Sequence, residues 1–221
     1  MKRISPFDPR LVVGGVAALG LLLASIARAD APQTSQPRSV GAFRGLDLAG
    51  TIGVDIALGK SISVEVSGDA DLVDKVKTAV VDGTLVISTP ELRNMNRRDS
   101  HLHATVTAPD LGKISISGTG AIKVTGIAND ELLLDLSGTG ALTAVGSTGL
   151  LKVRVGGTGE VSGKDLNARD LRVDIEGTGS ARLNATRSVE ARVTGTGSVS
   201  VHGHPTQVKK SVSGVGHVHI E

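Results

Sequence analysis

From Lys113 onward, apolar and polar residues alternate, and the alternation is interrupted six times by the same phrase. It reads Gly118-Thr119-Gly120, Gly138-Thr139-Gly140, Gly157-Thr158-Gly159, Gly177-Thr178-Gly179, Gly195-Thr196-Gly197 and Gly214-Val215-Gly216. The first glycines lie 20, 19, 20, 18 and 19 residues apart. Two residues before them stand Ile116, Leu136, Val155, Ile175, Val193 and Val212; four before stand Ile114, Leu134, Val153, Val173, Ala191 and then Lys210, which breaks the column. Polar residues fill the position between: Ser115, Asp135, Arg154, Asp174, Arg192 and Ser211. Four and six residues after the glycine, apolar positions return, as at Ile122 and Val124 or Leu142 and Ala144. A period of two is that of a half-buried strand, and Val, Ile and Leu suit its pleated surface.

Each unit therefore reads as strand, glycine corner, strand and second turn. A repeat of this length buries its apolar face only against its neighbours, which is the logic of a solenoid. The predicted fold is all-β: a parallel β-helix or solenoid with 19–20-residue Gly-Thr-Gly rungs over residues 110–221, aliphatic side chains inside. Glycine at the corners is expected to supply backbone angles that other residues resist.

Residues 40–109 carry the same grammar less regularly. Leu46-Asp47-Leu48-Ala49-Gly50-Thr51 matches Leu134-Asp135-Leu136-Ser137-Gly138-Thr139, and Val64, Val66 and Gly68 resemble another degenerate rung. Residues 69–77 depart from it: Leu72, Val73 and Val76 recur at helical spacing behind Asp69, which predicts a short surface helix. Residues 80–89 predict a hairpin turning at Asp82-Gly83. Residues 93–100 read as a polar loop, and 101–108 as a strand closed by Pro109. Lys210 in an apolar column predicts a charged end that resists edge pairing.

The first 29 residues do not belong to this pattern. Lys2, Arg3 and Arg10 precede an uncharged apolar run, and Ala27-Arg28-Ala29 places small residues where a signal peptidase reads them. The run is short for a membrane span of ~20 residues, so residues 1–29 are expected to be a removed signal peptide. Residues 30–39, rich in Pro, Gln and Ser, are expected to form a flexible leader. Removing the signal segment takes four basic residues and one acidic residue, so the formal charge moves from +2 to about −1. No basic stripe remains to attract nucleic acid. Cysteine is absent, which excludes disulfides, thiolate metal sites and a cysteine nucleophile. The only aromatic residues are Phe7 and Phe43, which argues against an outer-membrane barrel girdle and against ligand stacking on rings.

The entry Phe43-Arg44-Gly45-Leu46, the turn Asp82-Gly83-Thr84-Leu85 and the Ser-Gly-Thr-Gly units at residues 117–120 and 137–140 resemble the head GIN domain family of exported bacterial proteins, the autotransporter-adhesin type. The likeness spans roughly residues 40 to 216. It implies a β-solenoid-like fold and an extracytoplasmic site, and it brings no catalytic residues. A translocator barrel is not seen in the sequence, so self-export is not expected.

The glycine phrases do not make a dinucleotide fingerprint, because Lys123 stands where a third glycine is needed and a strand follows. The turns lack the aspartates of calcium-binding rolls. Thr119, Thr139, Thr158, Thr178 and Thr196 form one hydroxyl column, thin for an ice-binding face. Asp135 and Asp174 share an outward column ~9–10 Å apart, wide for a glycosidase pair, and Arg154 and Arg192 alternate with them as an ion ladder. All six histidines occur as His-x-His, which puts two imidazoles on one face of a strand. His217 and His219 should lie above Ser198 and Ser200, with His202 and His204 in the adjoining turn. The four are the candidate ligands for a weakly bound Zn²⁺, Cu²⁺ or Ni²⁺; a solvated polar face is the ordinary alternative. No catalytic residues and no cofactor are predicted. The expected function is an exported, non-enzymatic binding or structural module, adhesin-like, in the periplasm or at the cell surface. Its expected partner is a protein or a surface polysaccharide, with no nucleic acid and no membrane span in the mature chain. The alternative is an extracytoplasmic carbohydrate-active enzyme of the β-helix type.

Overall fold

The structure is a computed structural model that describes residues 33–90 and 102–221. The signal segment expected at residues 1–29, the polar loop at 93–100 and His101 lie outside the described residues. Strand β1 (Gln33–Pro37) comes first, and β2 (Gly45–Leu48) with β3 (Thr51–Leu58) makes the first rung. The chain then leaves the stack through β4 (Ser63–Asp69), α1 (Ala70–Val73), β5 (Lys77–Val81), β6 (Thr84–Ser88) and β7 (His103–Ala108). It returns at β8 (Lys113–Ile116) and winds through β9 (Thr119–Leu136), β10 (Thr139–Val155), β11 (Thr158–Ile175) and β12 (Thr178–Gly195). The winding finishes with β13 (Ser198–His202), β14 (Gln207–Gly214) and β15 (His217–Ile220).

Successive rungs pair in parallel with like residues in register, so the predicted parallel β-solenoid is the fold. Leu142 lies between Ile122 and Val161, and Val153 between Leu134 and Val173. Ile116, Leu136, Val155, Ile175 and Val193 are all buried, as are Leu142, Val161, Ala181 and Val199 four residues past the corner. A further inward column, Leu132, Leu151, Leu171 and Val189, extends the face of Leu134, Val153, Val173 and Ala191 by one position. Register shifts fall in the second turn of the rungs, between Thr143 and Gly146, between Gly163 and Asn167 and between Ala168 and Asp170. The variation in rung length is thus absorbed away from the two strand faces, where one slipped residue would turn the apolar set outward.

The glycine corners work differently from the expectation. Positive φ occurs at Gly195 and Gly214 but not at Gly118, Gly138, Gly157 or Gly177. At those four the requirement is space. A Cβ on Gly138 would overlap the Gly118 carbonyl oxygen, and one on Gly140 would overlap that of Gly120. Stacked corners approach so closely that a side chain has no room.

Residues 46–51 form a true rung: Leu46 and Leu48 are in register with Ile114 and Ile116, and Val54 and Ile56 with Ile122 and Val124. Val64 and Val66 do not make another. They sit in β4, which runs antiparallel to β7, and β1 runs antiparallel to β4. Gln33–Pro37 is therefore a strand where a flexible leader was expected. Its backbone finds the open edge of β4, and Gln33 and Gln36 donate to Asp69 and Asp74 at 2.7 and 2.6 Å. The predicted short helix is one turn, with Leu72 and Val73 buried and Asp71 exposed; Asp69 makes no side-chain cap bond there. The hairpin of β5 and β6 turns at Asp82 (φ 48) and Gly83 (φ 70), the left-handed pair that two-residue hairpins favour. Among the described residues, no helix is long and apolar enough to cross a membrane.

Candidate functional site

The inward columns form the core, and the outward ones make the side surface of the stack. Thr51, Thr119, Thr139, Thr158 and Thr178 stack in register along one corner and are all exposed. Thr196 follows at the same corner: its N–H donates to the Gly177 carbonyl at 3.3 Å, as that of Thr178 does to Gly157 at 3.2 Å. The column predicted from the sequence thus gains one member at its start.

The adjoining face is charged. Asp135, Arg154, Asp174 and Arg192 occupy one column in register, and Arg192 donates to Asp174 at 3.4 Å. They line a 440 Å³ cleft with Ser137 and Glu176. Further pairs cross from rung to rung: Lys152 with Glu131 at 2.6 Å, Lys209 with Glu190 at 3.1 Å, and Arg182 with Glu160.

The tightest cluster was not legible in the sequence. Asp170, whose side chain keeps 12% of its exposure, accepts bonds from Arg187 Nε at 2.7 Å, Ser188 Oγ at 2.5 Å and Arg169 Nε at 3.2 Å. The Arg187 hydrogen bond, followed by that of Ser188, holds its carboxyl far below the ordinary range. The hydrogen bond from Lys209 lowers Glu190 in the same way. Each shift runs opposite to that of a general acid, which must keep its proton near neutral pH. Asp170 belongs to no repeated column of acids, since Leu150 and Ser188 flank it in register, so the repeat gave no signal for it.

The last rung carries the predicted histidines. His217 and His219 lie in register with Ser198 and Ser200, as the offsets predict, and both are exposed. His202 ends β13, and His204 follows in the turn with φ 53. Glu221 connects two of the four. His202 Nδ1 lies 3.0 Å from Glu221 Oε2, and His219 Nε2 lies 2.8 Å from Oε1. The Glu221 backbone adds bonds to Val201 and His204 at 2.9 and 3.0 Å. The hydrogen bond from His219, then that from His202, pulls the Glu221 carboxyl below its usual range. The imidazoles therefore reach opposite oxygens of one carboxylate, and His204 and His217 do not join them. Among the described residues, no group of three or more His, Asp or Glu side chains is placed to hold a metal ion. Glu221 continues the alternation of His217 and His219, which is the signal by which it could have been paired with them.

A family model described as "Putative auto-transporter adhesin, head GIN domain" matches residues 42–205. Among solved structures, a putative adhesin from Bacteroides fragilis is 22% identical, with 86% of this chain and 97% of that one covered at a TM-score of 0.67. A putative adhesin from Parabacteroides merdae is 16% identical, with 87% and 100% covered and a TM-score of 0.49. At such identity the B. fragilis protein shows a shared fold. No curated protein matches. The family match covers most of the solenoid, including its first rung and all five Gly-Thr-Gly corners, and this chain belongs to the head GIN domain family of auto-transporter adhesin type.

Proposed function

We propose that this chain is an exported, non-enzymatic β-solenoid that serves as an adhesin-like binding or structural module in the periplasm or at the cell surface. The observation that carries the reading is the state of its carboxylates. Asp170, Glu190 and Glu221 are held ionised by cations or imidazoles, chiefly Arg187 for Asp170, Lys209 for Glu190, and His219 then His202 for Glu221, and Asp174 is bonded to Arg192. They serve to join rungs, and none is poised to give a proton to a leaving group. A stack of register-locked rungs offers a long rigid outer surface, the form in which solenoids recognise partners. The adhesin description of the family supports the same reading. The basic, apolar and small-residue order of residues 1–29 supports export. The partner is a protein or a surface polysaccharide, and no cofactor is required.

Fractionation of producing cells, combined with surface protease accessibility of the processed chain, tests the location. Binding of the purified chain to whole cells and envelope fractions tests the role. An unprocessed cytoplasmic chain, or hydrolysis of envelope polysaccharide by the purified protein, would overturn the reading.

A further inference from the structure

The last rung is unlike those beneath it. In β14 the inward position that Ala191 holds one rung earlier is occupied by Lys210. Lys210 is exposed, and among the described residues its side chain has no hydrogen-bond or ion-pair partner. Val208 and Val212 are in register with the buried Val189 and Val193, yet they are 49% and 43% exposed. Val218 and Ile220 of β15 continue the columns of Val199 and Val201 and are only partly covered. Val208, Lys210, Val218 and Ile220 surround a 520 Å³ mouth into the apolar interior, with His219 and Glu221 at its rim. Among the described residues, no strand pairs with the outer edge of β14 or β15.

The other end shows what such edges accept. On the first rung, β6 lies parallel to β2 and β7 parallel to β3. Beyond them β5 and β4 add in the antiparallel direction, and β1 adds to β4. Rung edges of this fold thus take further strands in both directions.

We propose that β14 binds an extended segment of a partner protein as an added strand, with a carboxylate of that segment set against Lys210. This rests on the binding-module reading and names the class of partner. Backbone groups on an open edge attract any extended chain, and alternate side chains then decide which chain fits. Every second guest residue faces the mouth, so the fitting sequence has one acidic residue between two aliphatic ones, matched to Lys210 between Val208 and Val212. A second copy of this chain is a poor guest by the same rule. Its own β14 holds Lys209 and Lys210 and no acid, and like charges opposed across a strand pair repel.

The test uses the full chain and two short labelled peptides that alternate valine and serine, one with a central glutamate and one with a central lysine. Fluorescence polarisation should show the glutamate peptide binding on the order of tenfold more tightly, the worth of one partly desolvated charge pair. Lys210→Glu, at an exposed position, should melt like the parent and invert the preference. Amide exchange at residues 207–214 should slow when the preferred peptide binds. Equal binding of the two peptides, absence of binding, or unchanged exchange at 207–214 overturns the proposal. So does a concentration-dependent dimer that protects those amides, which would make a second copy the occupant. Envelope binding separates this failure from that of the broader reading. If the parent and Lys210→Glu bind envelope fractions equally, the end is not the site and the module reading stands; if neither binds, the module reading fails.

Discussion

Ser115 donates a hydrogen bond to Asp47 at 3.0 Å although 68 residues separate them in sequence. Ser115 is buried and also reaches the Leu46 carbonyl at 3.3 Å. The contact closes the first rung onto the second across the whole excursion through β4, α1, β5, β6 and β7. The irregular segment and the regular solenoid consequently share one apolar stack, with Leu46 on Ile114 and Ile114 on Leu134.

Leu136 sits in the middle of that stack with no exposure, in register with Ile116 and Val155. Leu136→Asp should abolish cooperative unfolding, since the carboxylate would lose its hydration with no cation inside to replace it. Circular dichroism against temperature reads this. A variant that melts like the parent would show that Leu136 faces solvent.

Gly138 and its neighbour Thr139 separate the two explanations of the corner phrase. Gly138→Val should destabilise by about 1–3 kcal/mol or more, because the new side chain must push the Gly118 carbonyl away. Thr139→Val, at an exposed position, should stay within about 0.5 kcal/mol of the parent. Urea titration measures both. Greater sensitivity at Thr139 would mean that the hydroxyl column carries stability.

The order in which these features became visible follows from repetition. Leu136 and Leu142 could be assigned inward because each has aliphatic equivalents in five other units, and Leu134 because it has them in four, and chance does not alternate so consistently. The first rung was legible for the same reason, through Leu46, Leu48 and Thr51. Strand β1 was not, because Gln33–Pro37 has no apolar alternation and is held through its backbone and the side chains of Gln33 and Gln36. The direction of β4 was hidden too, since Val64 and Val66 alternate alike in a parallel or an antiparallel strand. At the corners the sequence pointed to glycine but not to its cause, which is the proximity of another rung. Asp170 depends on partners brought close by folding, and no spacing announces it; for Glu221 the spacing of two from His219 announces one partner, while His202 is brought to it by the fold.

Asp170 makes stability depend on pH in a definite direction. Its folded carboxyl titrates far below the unfolded one, chiefly through the Arg187 hydrogen bond. The stabilisation is complete above the unfolded value near pH 4 and is lost as pH falls from there through the folded value. Asp170→Asn should therefore be less stable than the parent by a constant margin at pH 6–8, and the two should converge below about pH 4. Arg187→Ala should reproduce most of the effect, without adding to it in the double variant. Melting curves across pH test both, and a margin that grows in acid would contradict the assignment.

The histidines of the last rung test how firmly Glu221 holds them. His202 Nδ1 and His219 Nε2 engage its two oxygens at 3.0 and 2.8 Å. A divalent ion has to displace these bonds, because as placed each ring nitrogen is committed to a different oxygen of the carboxylate and His204 and His217 do not complete a ligand group. Calorimetry of the purified chain with Zn²⁺ or Cu²⁺ at neutral pH should accordingly show no saturable site at micromolar metal. Glu221→Ala should free both rings and allow a measurable site with His204 or His217. A one-to-one site in the parent, lost in a His217→Ala/His219→Ala double variant, would show that the rings leave Glu221 readily and that His202, His204, His217 and His219 supply a metal centre after all.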